Sequence, residues 1–519
     1  MPSDPPPLTD LDLPDDPAAL KARLAAMEAE NADLAEEVAR LKAIVAAFQR
    51  AMFGRRSEKL DADQLELALE DAQQEIAEDR AEADAGTPAL KALRAARRRA
   101  NRGALPPHLP RVEVVVEPES LDCTGCGGAL HSIDEDRSER LDVIPAQFRV
   151  LVTRRPRYAC RACAEGVVQA PAPARLIAGG LPTEATVAHV LVSKFADHLP
   201  LHRQAQIFAR QGVSLDRSTL ADWVGHAARE LRPVHARLVE TLKGSPKLFA
   251  DETRAPVLDP GRGRTKTGWL WALARDDRPW GGVDPPAVAF LYADGRRNQD
   301  AADLVEGFSG TLQVDGYAAY RGLAASDRPG GPVTLAFCWS HVRRRFYDIA
   351  QAGHAPIAEE ALRRIAELYA VEAEIRGLDP KGRRAARDAR SRPLIEALRP
   401  WLEAQQSRLP GRSRLAEAIR YALKLWDGLV RFLDDGRIEL DTNPVERAIR
   451  PIALTRKNAL FAGSDRGAEH WAIIASLIGT AKLNRIEPHA WLTDVLERIV
   501  AGHPQSRIDD LMPWAHASA

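Results

Sequence analysis

The sequence predicts a multidomain α+β protein. It reads as an N-terminal coiled coil, a small zinc-ribbon-like four-cysteine module, a helix-turn-helix pair, and an α/β core interrupted by an inserted helical subdomain. Three observations carry this. Apolar residues recur at heptad spacing between Leu20 and Met52. Two Cys-x2-Cys pairs, Cys123 with Cys126 and Cys160 with Cys163, are separated by 33 residues. From Lys247 to Asp315 three strand-like runs, a helix-like run and a fourth strand-like run follow one another.

Length and composition bound the function. At roughly 150 residues per domain, 519 residues suggest three to four domains. With 45% hydrophobic and 28% charged residues, a sizeable core is available and wholesale disorder is excluded. Lys+Arg (72) balances Asp+Glu (73), which rules out a uniformly basic nucleic-acid coat but not local patches. Five cysteines rule out a disulfide scaffold. The acidic, Pro-rich start lacks the basic and apolar regions of a signal peptide. The longest nearly apolar run, Trp471 to Ala481, is too short to span a bilayer. A cytoplasmic protein with no membrane partner is expected.

The expected organisation is a disordered tail (1–19), a coiled coil (20–55), a charged linker (56–108), a zinc-binding domain (109–172) and a helix-turn-helix region (180–235). The core follows in two parts, 245–355 and 436–505 with its C-terminal helices, around a helical insertion (356–435). Charge is segregated along this order. Glu58 to Ala85 holds 11 acids and 2 basic residues; Lys381 to Arg392 holds six basic residues and one acid. Such blocks read as solvated faces or flexible arms.

In the heptad, Leu20, Met27, Leu34, Leu41 and Phe48 fall at d, and Leu24, Asn31, Val38, Val45 and Met52 at a. The single Asn at an a position favours a parallel, in-register homodimer, at a cost in stability. An amphipathic helix docked on its own protein is the alternative. Next, the thiolates of Cys123, Cys126, Cys160 and Cys163 can close a tetrahedron around Zn²⁺, with no open position for chemistry. Val112–Val116 and Phe148–Val152 read as short strands beside the knuckles.

Leu199–Gln211 and a second helix from Asp216 or Arg217 to Ala228, joined by a Gly212 turn, fit the helix-turn-helix pattern. Arg217, Ser218, Thr219 and Asp222 would then face a DNA groove; a plain αα-hairpin fits as well. In the core, Leu248–Asp251 ends a short apolar run in a carboxylate. Trp269–Ala274 and Ala287–Tyr292 read as strands, Ala301–Phe308 as a helix, and Thr311–Asp315 ends a fourth strand in an acid. Val333–Phe337 leads into Cys338-Trp-Ser-His341 and a basic helix. Three strands, a helix and a fourth strand, with acids closing the first and fourth, is the ribonuclease-H-like order. A third acid, Glu446, comes after the insertion, ahead of helices Asp465–Leu483 and Pro488–Val500.

Two or three convergent acids suffice to hold Mg²⁺, and two such ions can activate an attacking oxygen and stabilise a leaving one at phosphorus. Context must single out three acids from 73. Here the sequence resembles the insertion sequence 66 family of bacterial transposases, of the DDE type. The carriers are Phe53-Gly-Arg-Arg-Ser-Glu-Lys-Leu60, the two cysteine knuckles, Ala250-Asp-Glu-Thr253, Val314-Asp-Gly-Tyr-Ala-Ala-Tyr320, Cys338-Trp-Ser-His-Val-Arg-Arg-Arg-Phe346, Asn443-Pro-Val-Glu-Arg-Ala-Ile-Arg-Pro451, Arg456-Lys-Asn-Ala-Leu-Phe-Ala-Gly-Ser464 and Thr480-Ala-Lys-Leu-Asn484. The resemblance implies Asp251, Asp315 and Glu446 as catalytic acids on Mg²⁺, or on Mn²⁺ in its place. It also implies a structural Zn²⁺ and a ribonuclease-H-like core with a helical insertion. The partners would be double-stranded DNA, as element terminal repeats and target, and accessory proteins of the same element.

Read from its residues alone, Glu446 also fits a capping box, with Asn443 as N-cap and Pro444 at the first helical position. Pro451 is expected to break or kink that helix. Glu252 should point away from Asp251. Cys338 and His341 read as a metal pair, a nucleophile with its base, or core and substrate-side residues. Arg343, Arg344 and Arg345, and Arg447, Arg450, Arg456 and Lys457 beside the third acid, are candidate phosphate contacts.

Overall fold

The structure, a computed structural model, describes residues 148–516 except 160–166, 170, 179 and 260–263, together with Asp16, Pro17, Lys21 and Met27. The chain divides into two compact units, Met1–Ala146 and Gln147–Ala519. Several expectations lie outside the described residues: the heptad segment apart from Lys21 and Met27, the strand at Val112–Val116, and all four expected zinc ligands, Cys123, Cys126, Cys160 and Cys163. The tetrahedral thiolate site therefore remains an expectation from their spacing. Two short antiparallel strands, β1 (Arg157–Ala159) and β2 (Val167–Gln169), bracket Cys160 and Cys163 in sequence. The strand expected at Phe148–Val152 does not form. That backbone is irregular, and the side chains of Val150, Leu151 and Val152 are exposed.

Three helices follow: α1 (Glu184–Phe195), α2 (Leu201–Arg210) and α3 (Arg217–Lys243). Gly212 takes a left-handed φ of 80° at the exit of α2, a conformation that favours glycine. Asp216 caps α3 by accepting from the Ser218 N–H at 2.7 Å. The second helix of the pair therefore runs 15 residues past the expected end at Ala228. Pro233 does not stop it. A proline forfeits one backbone hydrogen bond, while Leu231, Val234, Leu238 and Leu242 bury their side chains on either side. The long helix roots the helix pair in the main core.

That core is built on a five-stranded sheet of order β5-β4-β3-β6-β7. Its strands are β3 (Lys247–Asp259), β4 (Arg264–Arg275), β5 (Ala287–Ala293), β6 (Thr311–Val314) and β7 (Thr334–Phe337). The pairs β3–β4 and β4–β5 are antiparallel; β3–β6 and β6–β7 are parallel. A short helix, α4 (Asn298–Leu304), lies between β5 and β6 in sequence. The strand β3 does not end at Asp251, as the apolar run suggested. It continues to Asp259, because its second half pairs residue by residue with β4 as far as Asp259↔Arg264.

After β7 come α5 (Trp339–Ala350) and then the insertion: α6 (Pro356–Glu374), α7 (Pro380–Gln406), α8 (Arg414–Lys424) and α9 (Trp426–Leu429). These helices close a second hydrophobic core around Trp339, Phe346, Ile365, Leu398, Ile419 and Phe432. The basic block at the start of α7 is only partly a solvated face. Arg383 and Arg387 are fully buried, and both pair with Glu372.

The chain returns through α10 (Asn443–Ala459), α11 (Asp465–Leu483), α12 (Pro488–Val500) and α13 (Pro513–His516). α10 is not broken at Pro451; Ile449 and Ile452 anchor the helix on both sides of it. α11 lies along the edge strand β5. Its Ser476 hydroxyl accepts the Phe290 N–H (2.7 Å), and its Thr480 hydroxyl accepts the Val288 N–H (3.1 Å). Asn484 donates to the Pro286 carbonyl at 2.8 Å. Gly479 permits this approach: a Cβ there would stand 2.9 Å from Val288. An edge that would otherwise invite another strand is covered by a helix.

Candidate active site

Two acids are placed by strand register. In the parallel β3–β6 ladder Phe249 stands opposite Gln313. Asp251 lies two residues further along β3 and Asp315 just past the end of β6, close enough for the Asp315 charge to act on Asp251. The turn after β6 depends on Gly316, whose φ is +93° and where a Cβ would meet Leu425 at 2.6 Å. It lets the Tyr317 N–H bond back to Asp315 Oδ1 at 2.7 Å. From α8, the Tyr421 hydroxyl donates to the Asp315 carbonyl at 2.6 Å.

Glu446 comes from the first turns of α10, which packs against β3. Burial pushes the Asp251 carboxyl up to about 8, and the negative charges of Glu252, Asp315 and Glu446 add to the rise. Asp251 Oδ1 accepts the Glu252 N–H at 2.9 Å, which offsets only part of this. The structure thus gathers Asp251, Asp315 and Glu446 into one electrostatic neighbourhood. Glu252 points elsewhere, as alternation along a strand requires. Its buried carboxylate pairs with Arg296 and accepts the Tyr320 hydroxyl at 2.6 Å.

The capping box on Glu446 is not what forms. The helix begins at Asn443, so Thr442 takes the N-cap position, and Glu446 lies four residues beyond it. Asn443 instead turns back onto Asp441, with bonds of 3.1 and 2.7 Å to its two carboxylate oxygens. The Glu446 carboxylate accepts the Thr442 hydroxyl at 2.9 Å. Thr442 also donates its N–H to Cys338 Sγ at 3.3 Å. Burial pushes the Cys338 thiol up to about 12, so no nucleophilic thiolate forms there. His341, in the first turn of α5, has Nδ1 3.8 Å from Glu446 Oε1.

The candidate DNA contacts are spread over three helices. Arg217 and Ser218 are exposed, and Thr219 is half-buried, at the start of α3. The Ser218 hydroxyl already donates to Asp216 at 2.6 Å. Arg343, Arg344 and Arg345 are exposed on α5; Arg345 lies over the Tyr421 ring, 3.9 Å from its centroid. Arg447, Arg450 and Lys457 are exposed on α10. Arg456 is the exception. Its guanidinium holds the middle of β3, donating to Thr253 (3.2 Å) and to the Arg254 carbonyl (2.7 Å). Sequence reasoning missed Tyr317, Tyr421 and Thr442. The Asp-Gly-Tyr triplet was a signal for the first, because an Asx turn needs the carboxylate followed by a residue tolerant of positive φ.

Comparison with known families matches this architecture. The Transposase IS66 family matches residues 179–470, and the IS66 C-terminal element matches 476–514. The zinc-finger binding domain of transposase IS66 matches 120–164, a span that contains Cys123, Cys126, Cys160 and Cys163. The model described as Transposase C of IS166 homeodomain matches 40–114. The chain is 47% identical to the uncharacterized protein y4jD of Sinorhizobium fredii (strain NBRC 101917 / NGR234), over 93% of this chain and 95% of that one. It is 46% identical to y4qI of the same organism, over 97% of each chain. The chain belongs to the IS66 transposase family. It carries that family's zinc-binding and DNA-binding modules, with a structural Zn²⁺ and DNA as the implied partners. Among the described residues no helix is long and apolar enough to cross a membrane.

Proposed function

We propose that the chain is a DDE-type DNA transposase that binds the ends of its insertion sequence and performs cleavage and strand transfer with Asp251, Asp315 and Glu446. The observation that carries this is the register that sets Asp251 beside Asp315, with an Asp251 carboxyl that burial and the surrounding negative charges hold up at about 8. Such a site fits a divalent cation, because the cation supplies positive charge that offsets the cost of ionising Asp251. The three carboxylates would hold Mg²⁺, with Mn²⁺ able to replace it through the same oxygen ligands. The bound ions supply activation of the attacking oxygen and stabilisation of the leaving one. The remaining work falls to the protein. Gly316 and Tyr421 fix the Asp315 backbone, and Thr442 orients Glu446.

The sheet order, three antiparallel strands followed by two parallel ones, supports a ribonuclease-H-like reading of the core. In this reading Arg343, Arg344, Arg447, Arg450 and Lys457 hold phosphates, and the start of α3, with Arg217 and Thr219, reads element ends. Arg456 acts indirectly, by holding β3. Cys123, Cys126, Cys160 and Cys163 hold the structural Zn²⁺. Residues 20–55 join two copies, accessory proteins of the element assist, and the work takes place on DNA in the bacterial cytoplasm. The test is incubation of the full chain with Mg²⁺ and DNA bearing the element ends. Nicked and joined products are expected, and none from Asp251→Asn or Asp315→Asn. Undiminished cleavage by both variants would overturn the reading.

A further inference from the structure

The Nδ1 atom of His341 is buried and has no hydrogen-bond partner. A buried polar atom without a partner is costly and calls for an explanation. The 3.8 Å to Glu446 Oε1 is too long for a hydrogen bond. It does suit two ligands of one ion, since donors about 2.1 Å from a metal stand roughly 3 to 4 Å apart. Cys338 Sγ completes a group whose ligand atoms all lie within 4.8 Å of one another. That sulfur, however, already accepts the Thr442 N–H and is shut off from solvent.

The helix start that carries His341 is fixed through its neighbour Trp339. His341 sits in the first turn of α5, whose Trp339 is fully buried and donates its indole N–H to the Leu429 carbonyl at 2.9 Å. The Trp339 N–H bonds to the Leu440 carbonyl at 3.0 Å, just ahead of the segment that delivers Glu446. The start of α5 is therefore tied to the segment that leads into α10, and the imidazole faces the carboxylate without bonding to it.

We infer that His341 Nδ1 and Glu446 together ligate a divalent cation, which makes this position a mixed nitrogen–oxygen site that takes Mn²⁺ in preference to Mg²⁺. The inference rests on the proposed metal role of the three acids. An imidazole ligand suits first-row transition ions, whereas Mg²⁺ keeps to oxygen.

The experiment is pulsed electron paramagnetic resonance on the full chain loaded with Mn²⁺, with Mn²⁺ and Mg²⁺ titrated in parallel. The wild type should show ¹⁴N modulation from a directly bound imidazole. His341→Gln, which keeps most of the side-chain volume, and His341→Ala should both lose it. Mn²⁺ should then bind about tenfold or more weakly, with Mg²⁺ affinity nearly unchanged. Circular dichroism confirms that each variant is folded, and a variant that fails this check is replaced by the other. Bound Mn²⁺ without ¹⁴N modulation, or modulation that survives in the histidine variants, overturns the inference and leaves the role of the acids standing. Mn²⁺ binding that is absent, or unaffected by Asp251→Asn and Asp315→Asn, overturns the inference and the proposed function together.

Discussion

Gln313 and Glu439 hold each other in both directions. The Gln313 amide donates to the Glu439 carbonyl at 2.8 Å, and the Glu439 N–H donates to the Gln313 side-chain oxygen at 2.9 Å. Gln313 is fully buried in β6, two residues before Asp315. The Glu439 carboxylate in turn pairs with Arg383 of α7 at 2.7 Å. The insertion is thereby tied to the strand that delivers the second acid.

The first prediction tests that tie. Glu439→Ala should destabilise the chain by about 3–5 kcal/mol, because it leaves the buried Arg383 with half its compensation. Adding Arg383→Met should recover much of the loss, since an apolar side chain of similar volume has no charge to compensate. Urea unfolding of the single and double variants measures both. A Glu439→Ala loss below about 1 kcal/mol would show that the pair contributes little.

Asp251→Asn should remove activity and add stability. Burial and neighbouring carboxylates disfavour the ionised Asp251, whose raised value makes the metal-free fold lose stability as pH rises from about 4 to about 8. The amide has no charge to disfavour. Metal-free Asp251→Asn at pH 7.5 should melt higher by the equivalent of about 1–3 kcal/mol. A lower melting temperature would refute this account of the site.

Glu446→Gln should abolish cleavage and joining while stability stays within about 1 kcal/mol, since the Thr442 hydroxyl can donate to an amide oxygen as well. Near-normal transposition by this variant would remove Glu446 from the site. Two other acids near it in sequence are engaged elsewhere: Glu439 with Arg383, and Asp465 with Lys266 and Tyr292.

His235 gives a pH signature away from the carboxylates. Burial drives it down to about 4, although its Nε2–H donates to the Phe290 carbonyl at 3.0 Å. A histidine depressed by folding contributes fully above about pH 6.5 and loses that contribution as pH falls toward 4. About 2 kcal/mol should disappear between pH 7 and pH 5. His235→Gln should lack that component in urea titrations at the two pH values; an identical pH dependence in both proteins would contradict it.

Replacing one cysteine from each knuckle, as Cys126→Ser or Cys163→Ser, should bring bound zinc well below one ion per chain in freshly purified protein. Each change should also unfold the 109–172 module, because site assembly and folding are coupled. Retention of a full equivalent of zinc by either variant would remove that cysteine from the ligand set.

Much of this was legible in the sequence. The strand-like runs of β5 to β7 and the helices α11 and α12 fall close to their structural bounds, because continuous burial leaves unbroken apolar runs, whereas β4 begins five residues ahead of its apolar run. The misreadings share a cause: local rules yielded to tertiary packing. Ala228 reads as the end of the second helix of the pair, yet α3 continues through Pro233 to Lys243 because Leu231, Val234, Leu238 and Leu242 are buried. Asp251 looks like a strand end because Glu252 and Arg254 interrupt the apolar run; each has a partner that the chain supplies from far away, Arg296 for one and Trp269 for the other. Arg383 and Arg387 read as solvent-facing for want of any visible partner, and Glu372 and Glu439 lie 11 and 56 residues from Arg383. The candidate acids were found through motif context, while Thr442 and Tyr421, which hold them, carry no local signal.

Arg387 donates to the carbonyls of Phe432, Asp435 and Ile438 as well as to Glu372. One side chain therefore shapes the route by which the polypeptide leaves the insertion and heads for Glu446. During synthesis the first two acids leave the ribosome long before the third, and the clasp that guides the third must fold in between. A nascent chain, or one cut short before 446, holds two of the three carboxylates only. It also lacks α11 and α12, which pack against α1 and α3, so the helix pair and the third acid are completed by the same last stretch of chain.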